Sequence, residues 1–152
     1  MKKIAIVLIS IFLLVSCQKQ EEVEKVKQVN YFEFNYGSEL EGYYEYILKE
    51  DQYPRLIIKS SGEAPIKYDI DRYVKTKDMK DLSNLVYELD LASWNNFHER
   101  GGNETTGKSF NLRIAFKDNS YIGASGFMKF PSGFEEKSEK IKEFLDKLSK
   151  KL

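Results

Sequence analysis

Hydrophobic and polar positions divide the chain into stretches of different character. Residues 4–15 are an apolar run broken only by Ser10. Residues 18–29 (QKQEEVEKVKQV) are charged, poor in apolar side chains and free of Pro and Gly. From residue 30 the period becomes two, the signature of half-buried strands. Residues 31–36 are rich in aromatics, and Tyr44, Tyr46 and Leu48 fall on one face of residues 42–49. A short aliphatic run at 56–59 follows Pro54, and Ile66, Tyr68 and Ile70 alternate with Lys67, Asp69 and Asp71. Ser61-Gly62 and Ala64-Pro65 punctuate the turn before that last strand.

The period then changes to helical. Met79, Leu82, Leu85, Val86 and Leu89 share one face, with Thr76 as the expected N-cap and Asp78 in the first turn. Leu91 and Trp94 follow, and a polar, glycine-bearing loop is expected over residues 95–108. Phe110, Leu112, Ile114 and Phe116 alternate with Asn111, Arg113, Ala115 and Lys117, and Asp118-Asn119 tolerates the positive φ of a tight turn. The return strand is expected over residues 121–130. Its small stretch Gly123-Ala124-Ser125-Gly126 predicts a bulge, or a neighbour packed close to the backbone. A closing helix carries the stripe Phe134, Ile141, Leu145, Leu148 and Leu152, with Ser132 and Glu135 spaced as a capping box. Glu136 with Lys140, and Glu143 with Lys147, are favourable pairs four apart.

This order predicts an α+β domain over residues 30–152. Short connections favour antiparallel pairing, so the expectation is an antiparallel sheet of about six strands with two helices packed on one face.

The N-terminal run is about the length of a signal-peptide core and short of the ~20 residues that cross a bilayer. Lys2 and Lys3 precede it, and Leu14-Val15-Ser16-Cys17 ends it. These residues resemble the signal and lipobox of bacterial lipoproteins. The resemblance implies cleavage between Ser16 and Cys17, lipidation of Cys17 by acyl chains such as palmitate, and a location outside the cytoplasm, anchored to a bacterial membrane. Residues 1–16 are then a signal peptide and residues 17–29 a lipidated Cys with a polar tether. Cys17 is the only cysteine, so no intramolecular disulfide can form. Gln18 stands where an Asp retains some lipoproteins at the inner membrane; its presence permits outer-membrane sorting without choosing between membranes.

Charge narrows the partners. Of 24 Lys and Arg, Lys2 and Lys3 leave with the signal; the remaining 22 face 24 Asp and Glu, a formal charge of −2. That gives no electrostatic case for nucleic acid.

Candidate chemistry is sparse. GNETTGKS, from Gly102 to Ser109, matches the phosphate-loop pattern, but the mechanism needs a strand before the loop and a helix after it. Here the loop is expected to lead into a strand, so no nucleotide is expected. Asn103-Glu104-Thr105 matches a glycosylation sequon that carries no weight in a bacterial lipoprotein. His98 is the sole histidine; a zinc site needs three or four ligands, and a triad needs an elbow around its serine that no serine here shows. No metal or cofactor is expected. Asp69 and Asp71 share a strand face, which the solvent side of an amphipathic strand explains. Tyr36, Tyr43 and Tyr121 lie off the core stripes and are candidates for exposure.

From Trp94 onward, Trp94-Asn95-Asn96-Phe97, Gly107-Lys108-Ser109-Phe110-Asn111-Leu112, Phe116-Lys117-Asp118-Asn119, Ala124-Ser125-Gly126 and Phe130-Pro131 resemble an uncharacterised domain of bacterial envelope and lipoprotein sequences, with a weaker likeness at Gly42-Tyr43-Tyr44. These are turn and packing residues, and the resemblance implies no activity. The expectation is a non-enzymatic binding module for an envelope protein, a cell-wall component or a small ligand. Its rivals are an envelope hydrolase using carboxylates such as Asp69, Asp71, Glu99 or Glu104, and a structural spacer without a ligand.

Overall fold

The computed structural model describes residues 26–62 and 69–151. The expected signal, the lipobox with Ser16 and Cys17, Ile66 and Tyr68 of the strand expected there, and Leu152 lie outside the described residues.

Four strands come first: β1 (Val29–Ser38), β2 (Gly42–Lys49), β3 (Arg55–Ser61) and β4 (Ile70–Tyr73). Helix α1 (Thr76–Glu88) and a 3-10 turn (Leu91–Trp94) follow, then β5 (His98–Arg100), β6 (Ser109–Phe116), β7 (Tyr121–Phe127) and α2 (Phe134–Lys150). The strands form one sheet in the order β4-β3-β2-β1-β6-β7-β5. Every pair is antiparallel except β5 with β7.

The α+β class agrees with the pattern of the sequence, but the sheet differs from a purely antiparallel one of six strands. The extra strand, β5, arises inside the expected loop at 95–108. The chain leaves β5 at Arg100 and re-enters the sheet at Ser109, and β7 is inserted between β5 and β6, so β5 runs alongside β7 in the same direction. All three β5 residues are exposed, which leaves no hydrophobic alternation to mark them.

One face of the sheet is covered. Phe32 and Phe34 of β1, Tyr46 and Leu48 of β2, Leu56 and Ile58 of β3, Leu112 and Ile114 of β6 and Ile122 and Ala124 of β7 pack into a single core with Met79, Leu82 and Val86 of α1 and Ile141, Leu145 and Leu148 of α2. Polar ties fix the helices over that face. The Val29 N–H donates to Ser83 Oγ at 3.0 Å, Tyr46 donates to Asp146 at 3.1 Å, and Arg72 donates to the Ser149 carbonyl at 2.6 Å. Tyr36, a candidate for exposure, instead packs on this core, 5.8 Å from the Phe134 ring. Tyr121 is exposed and Tyr43 half-buried.

The helix caps are not the expected ones. Thr76 is the first helical residue and Lys75 the cap, because the Asp78 carboxylate reaches back to the Lys75 N–H at 2.9 Å. Asp78 also meets Lys151 at 2.9 Å. Burial opposes its charge, but these bonds prevail and hold its pKa below the usual value. At α2 the Ser132–Glu135 capping box does not form. Gly133, at φ 70°, is the cap, and the Ser132 carbonyl accepts a hydrogen bond from Trp94 Nε1 at 3.2 Å. Helix α2 keeps Glu135 and Glu136 at its positive end and Lys147 and Lys150 at its negative end.

The hairpin turns at Asn119, with φ 64°, as the sequence predicts. Its return strand stops at Phe127 rather than running to residue 130, because Met128 takes φ 54° and turns the chain out of the ladder. The small stretch in β7 does meet close neighbours: a β-carbon at Gly126 would collide with the Lys129 carbonyl and the Phe110 ring.

The incoming segment is tied to this hairpin. Lys27 donates to Ser120 Oγ at 3.0 Å and pairs with Asp118 at 3.1 Å. The Ser120 hydroxyl and N–H, with Lys27, bring the Asp118 pKa down to about 2. A carboxyl whose folded pKa is depressed contributes stability above its unfolded pKa of about 4 and loses it as pH falls through the folded value. We expect the Asp118 carboxyl to titrate near pH 2 by NMR, and Ser120→Ala to move that midpoint up toward 4. An unchanged midpoint in the variant would remove Ser120 as the cause.

Candidate binding face

The sheet face opposite the helices is covered by no described element, so its side chains are the first place to look for function. Alternation puts Tyr31, Glu33 and Asn35 of β1, Asn111 and Arg113 of β6, Ser125 and Phe127 of β7 and His98 of β5 on that face. Register then decides which of them are neighbours. Asn35 lies opposite Asn111, Asn111 opposite Ser125, and Ser125 beside His98. These four polar side chains form one row across four adjacent strands. Neighbouring strands are about 4.8 Å apart, so the row spans roughly 14 Å.

Beside the row sits a nearly buried carboxylate, Glu33, at 7% exposure. It accepts from Tyr31 Oη at 2.6 Å and from Asn35 Nδ2 at 3.0 Å, and Arg113 stands 3.6 Å away. Burial, the bond to Glu33 and the nearby negative charge push the Tyr31 phenol up to about 12. Both Glu33 oxygens are therefore occupied by partners within the sheet. Its hold on Asn35 also fixes the amide orientation. The Nδ2 group faces Glu33, and the buried Oδ1 has no hydrogen-bond partner among the described residues. His98 Nδ1 lies 2.8 Å from Ser125 Oγ. The half-buried Asn111 side chain makes no hydrogen bond with any described residue. Phe127 adjoins Ser125 on the same face, with the Arg100 guanidinium 4.2 Å from its ring centre.

No family model and no curated protein matches the chain.

The other residues singled out in the sequence are dispersed. Asp71 accepts from Nε and Nη2 of Arg55, which holds its pKa below the usual value, while Asp69 precedes β4 and is exposed. Glu99 pairs with Lys129 on β5. Asp71 and Glu99 therefore occupy opposite edges of the seven-stranded sheet, and the four carboxylates considered for hydrolysis do not converge. Among the described residues no three His, Cys, Asp or Glu side chains cluster as a metal site requires. The phosphate-loop pattern runs into β6, with Lys108 paired to Glu41 at 2.9 Å. Among the described residues no helix is long and apolar enough to cross a membrane.

Clefts among the described residues flank the sheet ends. One, of about 370 Å³, lies between Tyr87 and Asp90 near the end of α1 and Phe116, Ser120 and Ile122 of the hairpin. Another, of about 360 Å³, lies at the β1–β2 turn between Leu40, Met128 and Phe130. His98 was expected on a loop; it is exposed as expected, but on a strand. Only its strand assignment brings it beside Ser125 and onto the polar row. The one sequence signal for the row was the outward phase of Asn111 in the β6 alternation.

Proposed function

We propose that this chain is a membrane-tethered extracytoplasmic binding module, anchored through lipid on Cys17 and presenting the uncovered face of its sheet to an envelope ligand. The observation that carries the reading is that uncovered face: polar groups in register, some without hydrogen-bond partners among the described residues, on the side of the sheet the helices leave free. Buried polar groups are normally satisfied, so an unsatisfied one in such a place invites an outside partner. The anchor rests on the lipobox resemblance of Leu14-Val15-Ser16-Cys17. One acyl chain binds a membrane only marginally; two or three hold firmly.

The test of the anchor is metabolic labelling of the full chain in a bacterial host with an alkyne analogue of palmitate, followed by membrane fractionation. The expected result is a labelled protein in the membrane fraction, and for Cys17→Ala an unlabelled protein lost from it. Labelling that survives Cys17→Ala, or an unlabelled soluble wild type, would overturn the reading. In-cell crosslinking of the lipidated protein tests the binding role, with the envelope ligand or partner captured by the wild type and lost with the anchor.

A further inference from the structure

We propose that the end of the domain where the chain enters the sheet docks on an anionic phospholipid surface, with Tyr53, Tyr73, Tyr87 and Tyr121 seated among the headgroups. This deepens the proposed role: it rests on the anchor at Cys17 and says how the anchored domain stands.

The register defines that end. Tyr73 of β4 lies opposite Arg55 of β3, Arg55 opposite Lys49 of β2, and Lys49 opposite Tyr31 of β1. Tyr31 lies opposite Ala115 of β6, and Ala115 opposite Tyr121 of β7. This row crosses six strands just inside the point where Val29 opens β1. Five strand spacings put Tyr73 and Tyr121 about 24 Å apart, one on each side of the entering chain. Tyr53 meets Tyr73 edge-on at 5.8 Å, and Tyr87 lines the same cleft as Tyr121 and Lys27. Two tyrosine pairs therefore flank the entry point. All four rings are between 51% and 68% exposed, and no other tyrosine is exposed among the described residues.

Chain length selects the occupant. Residues 18–25 separate Cys17 from the first described residue, Val26, and at full stretch they span about 30 Å. A lipid on Cys17 thus keeps this end of the domain nearest the bilayer. A protein partner would have to straddle the entering chain and leave room for the membrane beneath it.

The side chains suit that neighbour. Tyrosine joins an apolar ring to a polar hydroxyl, and it gathers at membrane–water interfaces for that reason. Charge adds a preference. Lys49 ends β2, Lys75 caps α1, and Lys150 ends α2, which the Arg72 bond to the Ser149 carbonyl brings to the same corner. None of these three lysines forms an ion pair with a described residue. The acids beside them are largely taken: Asp71 by Arg55, Asp78 by Lys151, Glu50 by Lys117 and Asp118 by Lys27. Asp51 is unpaired at this corner, and Glu88 and Asp90 lie beyond Tyr87, so the positive surplus is confined to the corner of Tyr53 and Tyr73. Each Lys near an anionic leaflet favours association.

The test supplies the anchor chemically. The mature chain from Cys17 is coupled through its single thiol to a maleimide phospholipid in vesicles of equal parts phosphatidylglycerol and phosphatidylcholine. Tyrosines are iodinated by lactoperoxidase and read by mass spectrometry against the same chain capped with N-ethylmaleimide. Leu40→Tyr, at an 85% exposed position on the opposite end, serves as the reporter of that end. Iodination of Tyr53, Tyr73, Tyr87 and Tyr121 is expected to fall about five-fold on the vesicles, with the reporter unchanged. Lys75→Glu with Lys150→Glu is expected to restore most of the labelling of Tyr53 and Tyr73 at an unchanged melting temperature. If that double variant unfolds, raised salt reads the same charge dependence on the wild type. Equal protection on pure phosphatidylcholine vesicles would mean that the tether alone shades this end, and would overturn the proposal. Undiminished labelling of the four tyrosines, or equal protection of the reporter, would overturn it too. Because the coupling replaces the cell's own lipidation, such a failure leaves the anchor at Cys17 to be decided by the palmitate labelling.

Discussion

Replacing Trp94 with alanine is expected to lower the stability of the domain by about 3–5 kcal/mol, the range for deleting a large buried aromatic. Trp94 is 1% exposed and sits where the 3-10 turn delivers the chain from α1 to the edge of the sheet. Its ring stacks 5.5 Å from Phe134 and meets Phe110 edge-on at 6.0 Å. Phe110 in turn touches Phe97, Phe130 and Phe134, so the aromatic cluster joins β6, the segment before β5, the loop after β7 and the start of α2. Little in that cluster can collapse into the space the indole leaves, because its other members are already fixed by one another. Urea unfolding followed by circular dichroism checks this, since Trp94 is the only tryptophan and its fluorescence is lost with it. The expected result is a lower midpoint at unchanged slope. Trp94→Phe keeps most of the ring packing and removes the bond to the Ser132 carbonyl, so its cost is expected near 1 kcal/mol. Equal losses in the two variants would shift the explanation from packing to that single bond.

Gly37→Ala is expected to cost roughly 2–4 kcal/mol, combining an unfavourable backbone region with overpacking. Gly37 sits near the end of β1 at φ 153°, which side-chain-bearing residues rarely adopt, and a β-carbon there would collide with the carbonyl oxygen of Gly42 and the Cα of Tyr43. Both obstacles are backbone, so no rotamer change relieves them. The strand pair β1–β2 would have to open at its turn, in the middle of the sheet order. Gly133→Ala is the control. It also has positive φ, 70°, but its β-carbon meets only the flexible Lys137 side chain, at 3.4 Å. Its cost is expected near 1 kcal/mol. A Gly37→Ala variant as stable as Gly133→Ala would show that the turn relaxes freely.

The residues that made the fold legible are those whose environment repeats along the chain. The stripe on α1 and the alternation in β6 each report a local period, and the structure buries Met79, Leu82, Val86, Phe110, Leu112 and Ile114 accordingly. What stayed hidden depends on contacts between distant segments. Period two says that Asn111 points away from the core, but the aromatic run of β1 does not say the same of Asn35. Only the pairing of β1 with β6, 76 residues apart at that point, makes them neighbours. His98 was hidden twice, by a strand of three exposed residues and by a parallel pairing that no local signal announces. The caps failed for a related reason. Ser132 has the right spacing for a capping box, yet its carbonyl is held by Trp94, 38 residues away, and Gly133 is left to turn the chain.

The place where the polar segment enters the fold has a mechanical consequence. Val29 opens β1, which lies inside the sheet with β2 on one side and β6 on the other. A pull transmitted from a membrane anchor would run along the axis of that strand. Both ladders would then bear the load in shear, many hydrogen bonds together, instead of peeling apart one at a time as an edge strand does. A domain hung by a central strand in this way would keep its shape under load.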